Sequence, residues 1–443
     1  MRCSVNRLLF WGYRLDEPSI ASQENRLSFW HVMAVVTPLI ACFATSSIVF
    51  NTWSVFVVPV CDSLGTSTGS FASYVSIVYL SSAIAAPFAG GLVQKHDVRI
   101  IYTAAVAMCA VGIGACSFYT EVWQFYVSGA IEGAGVVIIV SLMAPVMVTR
   151  WFNVHTGLLM GLCAAMMGVG GALWSMVAGI LIRDFGWQTS YLVFGLIAAT
   201  PMLLTIFCAR SNPSDMGLKP YGAPKLADGQ AADAPQMGVS AKTAFRSPAF
   251  YLLAITIGLT NGAAQIGNYL AKYVYHLSDV GALLVPASEV IIMASIIAVC
   301  VQVAQALGKV GLGFVVDRSM FWAFVIAYGC SLAGTILCWQ GAGVSAGLVY
   351  GGAVLIGVLY GTTNSLGPSV TRGLFGTRDY SVIYSRIAVV VNLIPVAFIP
   401  FYAFLADISW DLLFGVGAGV VVLIFACSMA TLYFGRRLVQ TEE

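Results

Sequence analysis

Twelve stretches of the chain are apolar over about 20 residues, the length a helix needs to cross a hydrocarbon core roughly 30 Å thick. They run over 30–60, 71–93, 100–118, 122–149, 156–182, 188–209, 248–271, 287–316, 321–340, 344–367, 380–406 and 412–434. Glycine, proline, aspartate and arginine mark the breaks between them, as connecting turns require. Each stretch is too long for a membrane β-strand of about 9–11 residues, so the pattern predicts helices. The one long polar interruption, 210–247, holds four prolines, three aspartates and five cations and leaves six spans on either side. It reads as a linker between half-domains.

The expectation is an all-α membrane protein, twelve transmembrane helices in two six-helix bundles related by pseudo-symmetry. Its parts are a tail over 1–29, an N-terminal bundle over 30–209, the linker over 210–247, a C-terminal bundle over 248–434 and a second tail over 435–443.

Composition agrees. The 443 residues are 59% hydrophobic and 9% charged, against roughly 25% charged in soluble domains. The net charge of +2 excludes a basic nucleic-acid binder and an acidic disordered chain. Ten of the eleven cysteines lie in or beside apolar runs, without CxxC or histidine pairing, and read as small buried hydrophobes. Neither a metal nor a cofactor is expected. The first 28 residues are polar and lack the apolar core of a signal peptide, so they read as a retained tail.

Charge also orients the spans. If the chain starts inside, seventeen of the 21 Lys and Arg fall in the tails and inner loops; Arg183 and Lys272 alone fall outside, and Lys309 and Arg386 lie within spans. The bias places both termini in the cytoplasm of a multi-pass plasma-membrane protein.

A loop signature recurs in the two halves. After the second span the chain reads Gly90-Gly91-Leu92-Val93-Gln94-Lys95-His96-Asp97-Val98-Arg99, and after the eighth Gly313-Phe314-Val315-Val316-Asp317-Arg318. Both fit G-x-x-x-[D/Q]-[K/R]. This layout resembles the major facilitator superfamily, whose loop after span 2 carries G-x-x-x-D-R-x-G-R-[RK]. Asp317 and Arg318 keep the gating-loop pair; in the first copy Gln94 replaces the acid and Asp97 the second glycine. Further strings resemble the bacterial monocarboxylate-transporter-like and oxalate:formate-antiporter-like branch: Thr149-Arg150-Trp151-Phe152, Phe185-Gly186-Trp187, Asn212-Pro213-Ser214-Asp215-Met216-Gly217-Leu218, Phe245-Arg246-Ser247-Pro248-Ala249-Phe250 and Phe375-Gly376-Thr377-Arg378-Asp379-Tyr380. The resemblance implies secondary transport of a small carboxylate by alternating access, coupled to protons or to exchange.

Ionisable groups inside a span cost several kcal/mol and normally face a partner or a wet cavity. Gln302, Gln305 and Lys309 share one face of the eighth span at i, i+3 and i+7. In the resembled branch a cation at the Lys309 position holds the substrate carboxylate. The competing reading is a lysine snorkelling to the inner surface or paired with Glu132. Arg386 sits seven residues into span 11, one residue before Ile387, where the resembled cation aligns; it reads equally as substrate contact or as an arginine beside headgroups. Glu132, near the middle of span 4, is the candidate proton carrier, with a structural hydrogen bond as the alternative. The resemblance to the superfamily implies a cavity among spans 1, 4, 7 and 10, lined by Asn51, Asn261, Gln265, Tyr360 and Asn364; the other reading is that these residues tie helices together. Trp53 and Tyr79 are expected as its aromatic walls, or as interface anchors. Glycines Gly133, Gly135, Gly168, Gly170 and Gly171 read as packing faces.

Span 5 lacks the G-x-x-x-G-P-x-x-G-G pattern of drug:proton antiporters, which lowers an efflux reading. An intramembrane enzyme would need a catalytic or metal-binding constellation at depth, and only His31 comes close. No GxxxxGK[ST] occurs to drive a primary pump. The expected partners are a small organic anion, protons and the lipid bilayer, with no nucleic acid, and the protein is expected to work as a monomer. The alternative is a transporter or efflux pump of the same fold for another small solute.

Overall fold

The computed structural model describes residues 27–222, 239–281, 287–341, 345–362, 366–376 and 379–442. Among the described residues the helices make twelve crossings, with Phe29 and Glu442 at the same end of the bundle. That end is called the terminal end here, and the opposite one the far end. The crossings are α1 (Phe29–Leu64), α2 (Thr68–Lys95), α3 (Val98–Phe118), α4 (Val122–Trp151), α5 (156–185), α6 (187–208), α7 (Pro248–Asp279), α8 (Ala287–Arg318), α9 (Met320–Gly341), α10 (Ala346–Thr362, continued by Leu366–Phe375), α11 (Tyr380–Ile408) and α12 (Trp410–Glu442).

Local chemistry sets the ends. Ser67 Oγ accepts from Ser70 N at 3.2 Å to cap α2, and Asp97 accepts from Arg99 N at 3.0 Å to cap α3. Asp97, the departure from the repeated loop pattern, therefore starts a helix, as short acids do. Ser247 caps α7 with Pro248 at its first position, where a missing N–H costs nothing. Gly65 ends α1 at φ 61°, and Gly186 breaks α5 from α6 at φ 82°, a left-handed turn that glycine adopts without strain.

Ile84, Phe118, Leu196 and Leu307 are all more than 60% exposed. A soluble protein would pay for so much bare apolar surface; around a membrane bundle it faces lipid. The interior is held by close approaches. A methyl group on Gly133 would sit within reach of the Val78 carbonyl on α2, and one on Gly135 would lie 2.6 Å from the Ala105 carbonyl on α3.

Central helices are irregular where the two halves meet. In α1, residues Ala41–Ser46 and Ile48–Thr52 are wound as π-helix; α4 has a π-turn over Ile139–Met143; α7 tightens to 3₁₀ over Gln265–Tyr269. Such turns shift the side chains that follow and recur at functional sites. The far end of α7 runs to Asp279, eight residues beyond the apolar stretch, so Lys272 belongs to a helix and not to a loop.

The two ends of the expected linker are pinned to different bundles. Tyr221 exchanges backbone hydrogen bonds with Trp151 and Asn153, whereas Val239 donates to the Phe375 carbonyl and Ala241 N donates to Asp379.

Candidate functional site

Asn51, Gln302, Gln305 and Lys309 come together in a seam between the halves. On α5, Ala164, Gly168 and Gly171 present a surface without bulk to α8. A methyl group on Gly168 would lie 2.7 Å from Ala306 N and 2.8 Å from the Gln302 carbonyl; on Gly171 it would lie 2.8 Å from Asn51 Nδ2 and 3.0 Å from Gln302 Cδ. These glycines let α8 of the C-terminal half lie directly on α5 of the N-terminal half.

Lys309 sits in this seam, 4% exposed. Its Nζ donates to the Ala164 carbonyl at 3.1 Å, and among the described residues no carboxylate reaches it. The ammonium thus neither snorkels to the surface nor pairs with Glu132. Asn51 Nδ2 donates to the Met167 carbonyl at 2.8 Å and reaches Gln305 Oε1 at 3.5 Å. Asn51 Oδ1 and Gln302 Oε1 are buried without partners.

A second polar chain crosses between the halves from α2 through α7 to α10. Gln265 Nε2 donates to the Tyr79 hydroxyl at 3.0 Å, Asn268 Nδ2 donates to Gln265 Oε1 at 2.9 Å and to the Tyr360 hydroxyl at 3.3 Å. Asn261 is turned within its own half, donating to the Val391 carbonyl at 3.0 Å. Trp53 of α1 meets Tyr269 of α7 edge-on at 5.8 Å, and Phe50 meets Tyr79 at 5.1 Å. Both Trp53 and Tyr79 are buried, which places them inside the bundle and not among headgroups.

Other predicted residues lie apart. Arg386 is exposed and Ile387 is buried, so the exact register of that cation matters. Asn364 and the side chain of Asp317 fall outside the described residues; Arg318 is exposed at the last turn of α8. Glu132 is fully buried among α2, α3 and α4, accepting a hydrogen bond from the Tyr74 hydroxyl on Oε2 and leaving Oε1 without a partner. Gly112 makes room for it, since a methyl there would lie 2.5 Å from Glu132 Cγ. The carboxyl belongs to the N-terminal bundle and not to the seam.

An ion pair near the far end has little signature in the residue order. Lys272 Nζ lies 2.5 Å from Asp407 Oδ1 on α11 and donates across the halves to Thr68 Oγ1 on α2 at 2.9 Å. The signal available was a cation directly after the end of an apolar run, at 272 against a stretch that ends at 271. Partly exposed pairs contribute about 0–1 kcal/mol to stability, so this contact acts on conformation more than on folding. In the Lys272→Met variant, a cysteine introduced at Thr68 is expected to react several-fold faster with a water-soluble maleimide, with thermal stability almost unchanged. An unchanged labelling rate would remove the contact from any role in closing the far end.

Comparisons with known proteins agree with this architecture. The family model of the Major Facilitator Superfamily matches residues 39–299. The oxalate:formate antiporter of Oxalobacter formigenes is 27% identical over 191 residues, 43% of this chain and 44% of that protein. An uncharacterised transporter of the same superfamily from Bacillus subtilis, YcxA, is 21% identical over 164 residues, 37% of this chain and 40% of that one. A multidrug resistance protein of Salmonella choleraesuis, MdtG, is 29% identical over 140 residues, 31% and 34% respectively. The chain thus aligns with less than half the length of these curated relatives. The crystal structure of the nucleoside transporter NupG superposes with a TM-score of 0.69 at 12% identity, covering 91% of this chain and 99% of that one. A bacterial homologue of the lysosomal transporter Spinster, in an inward-facing state, superposes with a TM-score of 0.63 at 13% identity, over 95% and 99%. With more than half its length matched by the family model and its twelve helices in the arrangement of these carriers, the chain belongs to the Major Facilitator Superfamily and is a multi-pass membrane transporter, not an enzyme.

Proposed function

We propose that this transporter moves a small organic anion, a mono- or dicarboxylate, by alternating access, with Lys309 as the group that receives the carboxylate. The observation that carries this reading is a buried ammonium on the contact between the two halves whose partner is a backbone carbonyl and not an acid. A cation held away from water is costly unless paired. A carboxylate entering the seam supplies the missing charge, and neutralising Lys309 lowers the cost of moving the site across the membrane. The similarity to part of the oxalate:formate antiporter supports the same class.

The rest of the proposed machinery follows. Arg386, exposed near the terminal end of α11, is a second contact for an anion approaching from that side. Asn51, Gln305, Gln265, Asn261, Tyr360, Asn364, Trp53 and Tyr79 form the surroundings of the path. Asp317 and Arg318 belong to the gating loop. Glu132 carries the coupled proton: it accepts one hydrogen bond, leaves its other oxygen buried without a partner, and has no cation beside it among the described residues. The protein sits as a monomer in the plasma membrane with both termini cytoplasmic.

Uptake into proteoliposomes tests this. Among lactate, pyruvate, formate, oxalate, larger dicarboxylates and amphipathic cations, the account expects uptake of one or more carboxylates, sensitive to a pH gradient in the wild type and insensitive in Glu132→Gln. Transport of the amphipathic cations alone would favour an efflux pump for another solute.

A further inference from the structure

Three polar stations lie along one side of α5. At Ala164 the carbonyl receives the Lys309 ammonium; at Met167 it receives Asn51 Nδ2; beside Gly171, the ends of Asn51 and Gln302 approach the same point to within 3.0 Å. At 1.5 Å of rise per residue the second and third stations lie about 4.5 and 10 Å from the first.

The last two are short of donors. Asn51 is 0% and Gln302 1% exposed, and the carbonyl oxygen of each side chain has no hydrogen-bond partner. The orientation of the Asn51 amide is set by its neighbour: its nitrogen must face the Met167 carbonyl, which leaves the oxygen pointing away from it. Burying an acceptor without a donor is unfavourable, and a polar residue that is only a packing element in such a seam would be replaced without loss by an apolar one. Two buried acceptors without donors, beside a helix that meets a cation whose partner is a neutral carbonyl about two turns away, make a pattern with a chemical complement: an anionic group at one end and hydrogen-bond donors along the next few carbons.

Resting on the reading of Lys309 as the carboxylate site, we propose that Asn51 and Gln302 determine specificity by accepting hydrogen bonds from substrate hydroxyls, so that the transported anion is a polyhydroxylated carboxylate of four to six carbons. When α5 and α8 separate, the ammonium takes the carboxylate and the two amide oxygens take hydroxyl protons. A plain fatty acid of the same length leaves both oxygens unpaired. A dicarboxylate is worse matched still, because its second carboxylate would bring oxygen lone pairs against two carbonyl oxygens.

Binding of gluconate, hexanoate and adipate, six carbons each, to the purified full chain tests the proposal. Gluconate is expected to bind about 10- to 100-fold more tightly than either of the others, as sites built around a substrate hydroxyl reject analogues lacking it. Gln302→Met, close in shape and without the acceptor, is expected to lose most of that preference while keeping hexanoate binding; if that variant does not fold, the wild-type ranking decides alone. Equal binding of the three acids, abolished in Lys309→Gln, would overturn the hydroxyl assignment and leave the anion site standing. Binding of short carboxylates alone, again dependent on Lys309, would overturn the assigned chain length and the amide roles with it. Binding of no carboxylate would overturn both this proposal and the reading it rests on.

Discussion

Transport of the preferred carboxylate is expected to fall at least 30-fold, and as much as a few thousand-fold, when Lys309 is replaced by glutamine. Removing one member of a desolvated charge pair costs about 2–5 kcal/mol, and each 1.4 kcal/mol is tenfold in affinity. Glutamine keeps a donor for the Ala164 carbonyl, which the ammonium reaches at 3.1 Å in the wild type, so the seam should hold and the protein should remain folded. The loss is therefore expected in substrate affinity. Lys309→Arg keeps the charge and adds a planar fork; it should retain much of the binding, with altered preference among carboxylates. Measured Kd values for the three proteins decide the matter. Unchanged affinity in the glutamine variant would mean that the buried cation serves the fold only.

The second large effect is expected at Gly168. The atoms that a side chain there would strike, Ala306 N and the Gln302 carbonyl, are helix backbone and cannot turn aside. Overpacking of this kind costs about 1–3 kcal/mol, which shifts a two-state equilibrium by roughly 5- to 150-fold. Gly168→Leu should therefore drive the carrier away from the conformation in which α5 and α8 touch, and slow transport accordingly. Spin labels at Leu158 and Phe314, exposed positions on the two helices, should report a longer mean distance. Gly161→Leu is the control, because nothing lies within 4 Å of a carbon added there. A distance distribution unmoved by the Gly168 substitution would show that the seam is not part of the transport cycle.

What the amino-acid order revealed of this molecule depended on range. Apolar runs of helix length gave the crossings, because backbone groups in lipid have no other way to be satisfied. The stripe of Gln302, Gln305 and Lys309 was readable from helical spacing alone. The carbonyls that the seam's polar groups reach were not: Ala164, the partner of Lys309, and Met167, the partner of Asn51, lie more than 110 residues from them in sequence, and a backbone carbonyl has no signature in the residue that bears it. Glu132 announced itself by its depth, but Tyr74, its donor from another helix, looks like any aromatic in an apolar span. The π-turns around Asn51 were equally hidden, since a helix widened by one residue per turn has the same composition as a regular one. Lys272 breaks the apolar pattern by its charge and so reads as a loop residue, although the helix runs on to Asp279. It is tolerated in α7 because Asp407 and Thr68 stand beside it.

Anion transport as proposed depends on a contact between one nitrogen and one carboxylate. Solid-state NMR of protein carrying ¹⁵Nζ-lysine, in liposomes with the transported acid ¹³C-labelled at its carboxyl carbon, measures that distance by dipolar dephasing. A coupling corresponding to about 3–4 Å is expected, the distance from nitrogen to carboxyl carbon across a charge-assisted hydrogen bond, and it should disappear in Lys309→Arg, which carries no labelled nitrogen at that position. A bound, transported acid whose carboxyl carbon shows no dephasing by any lysine, or the same dephasing with Lys309 replaced, would contradict it.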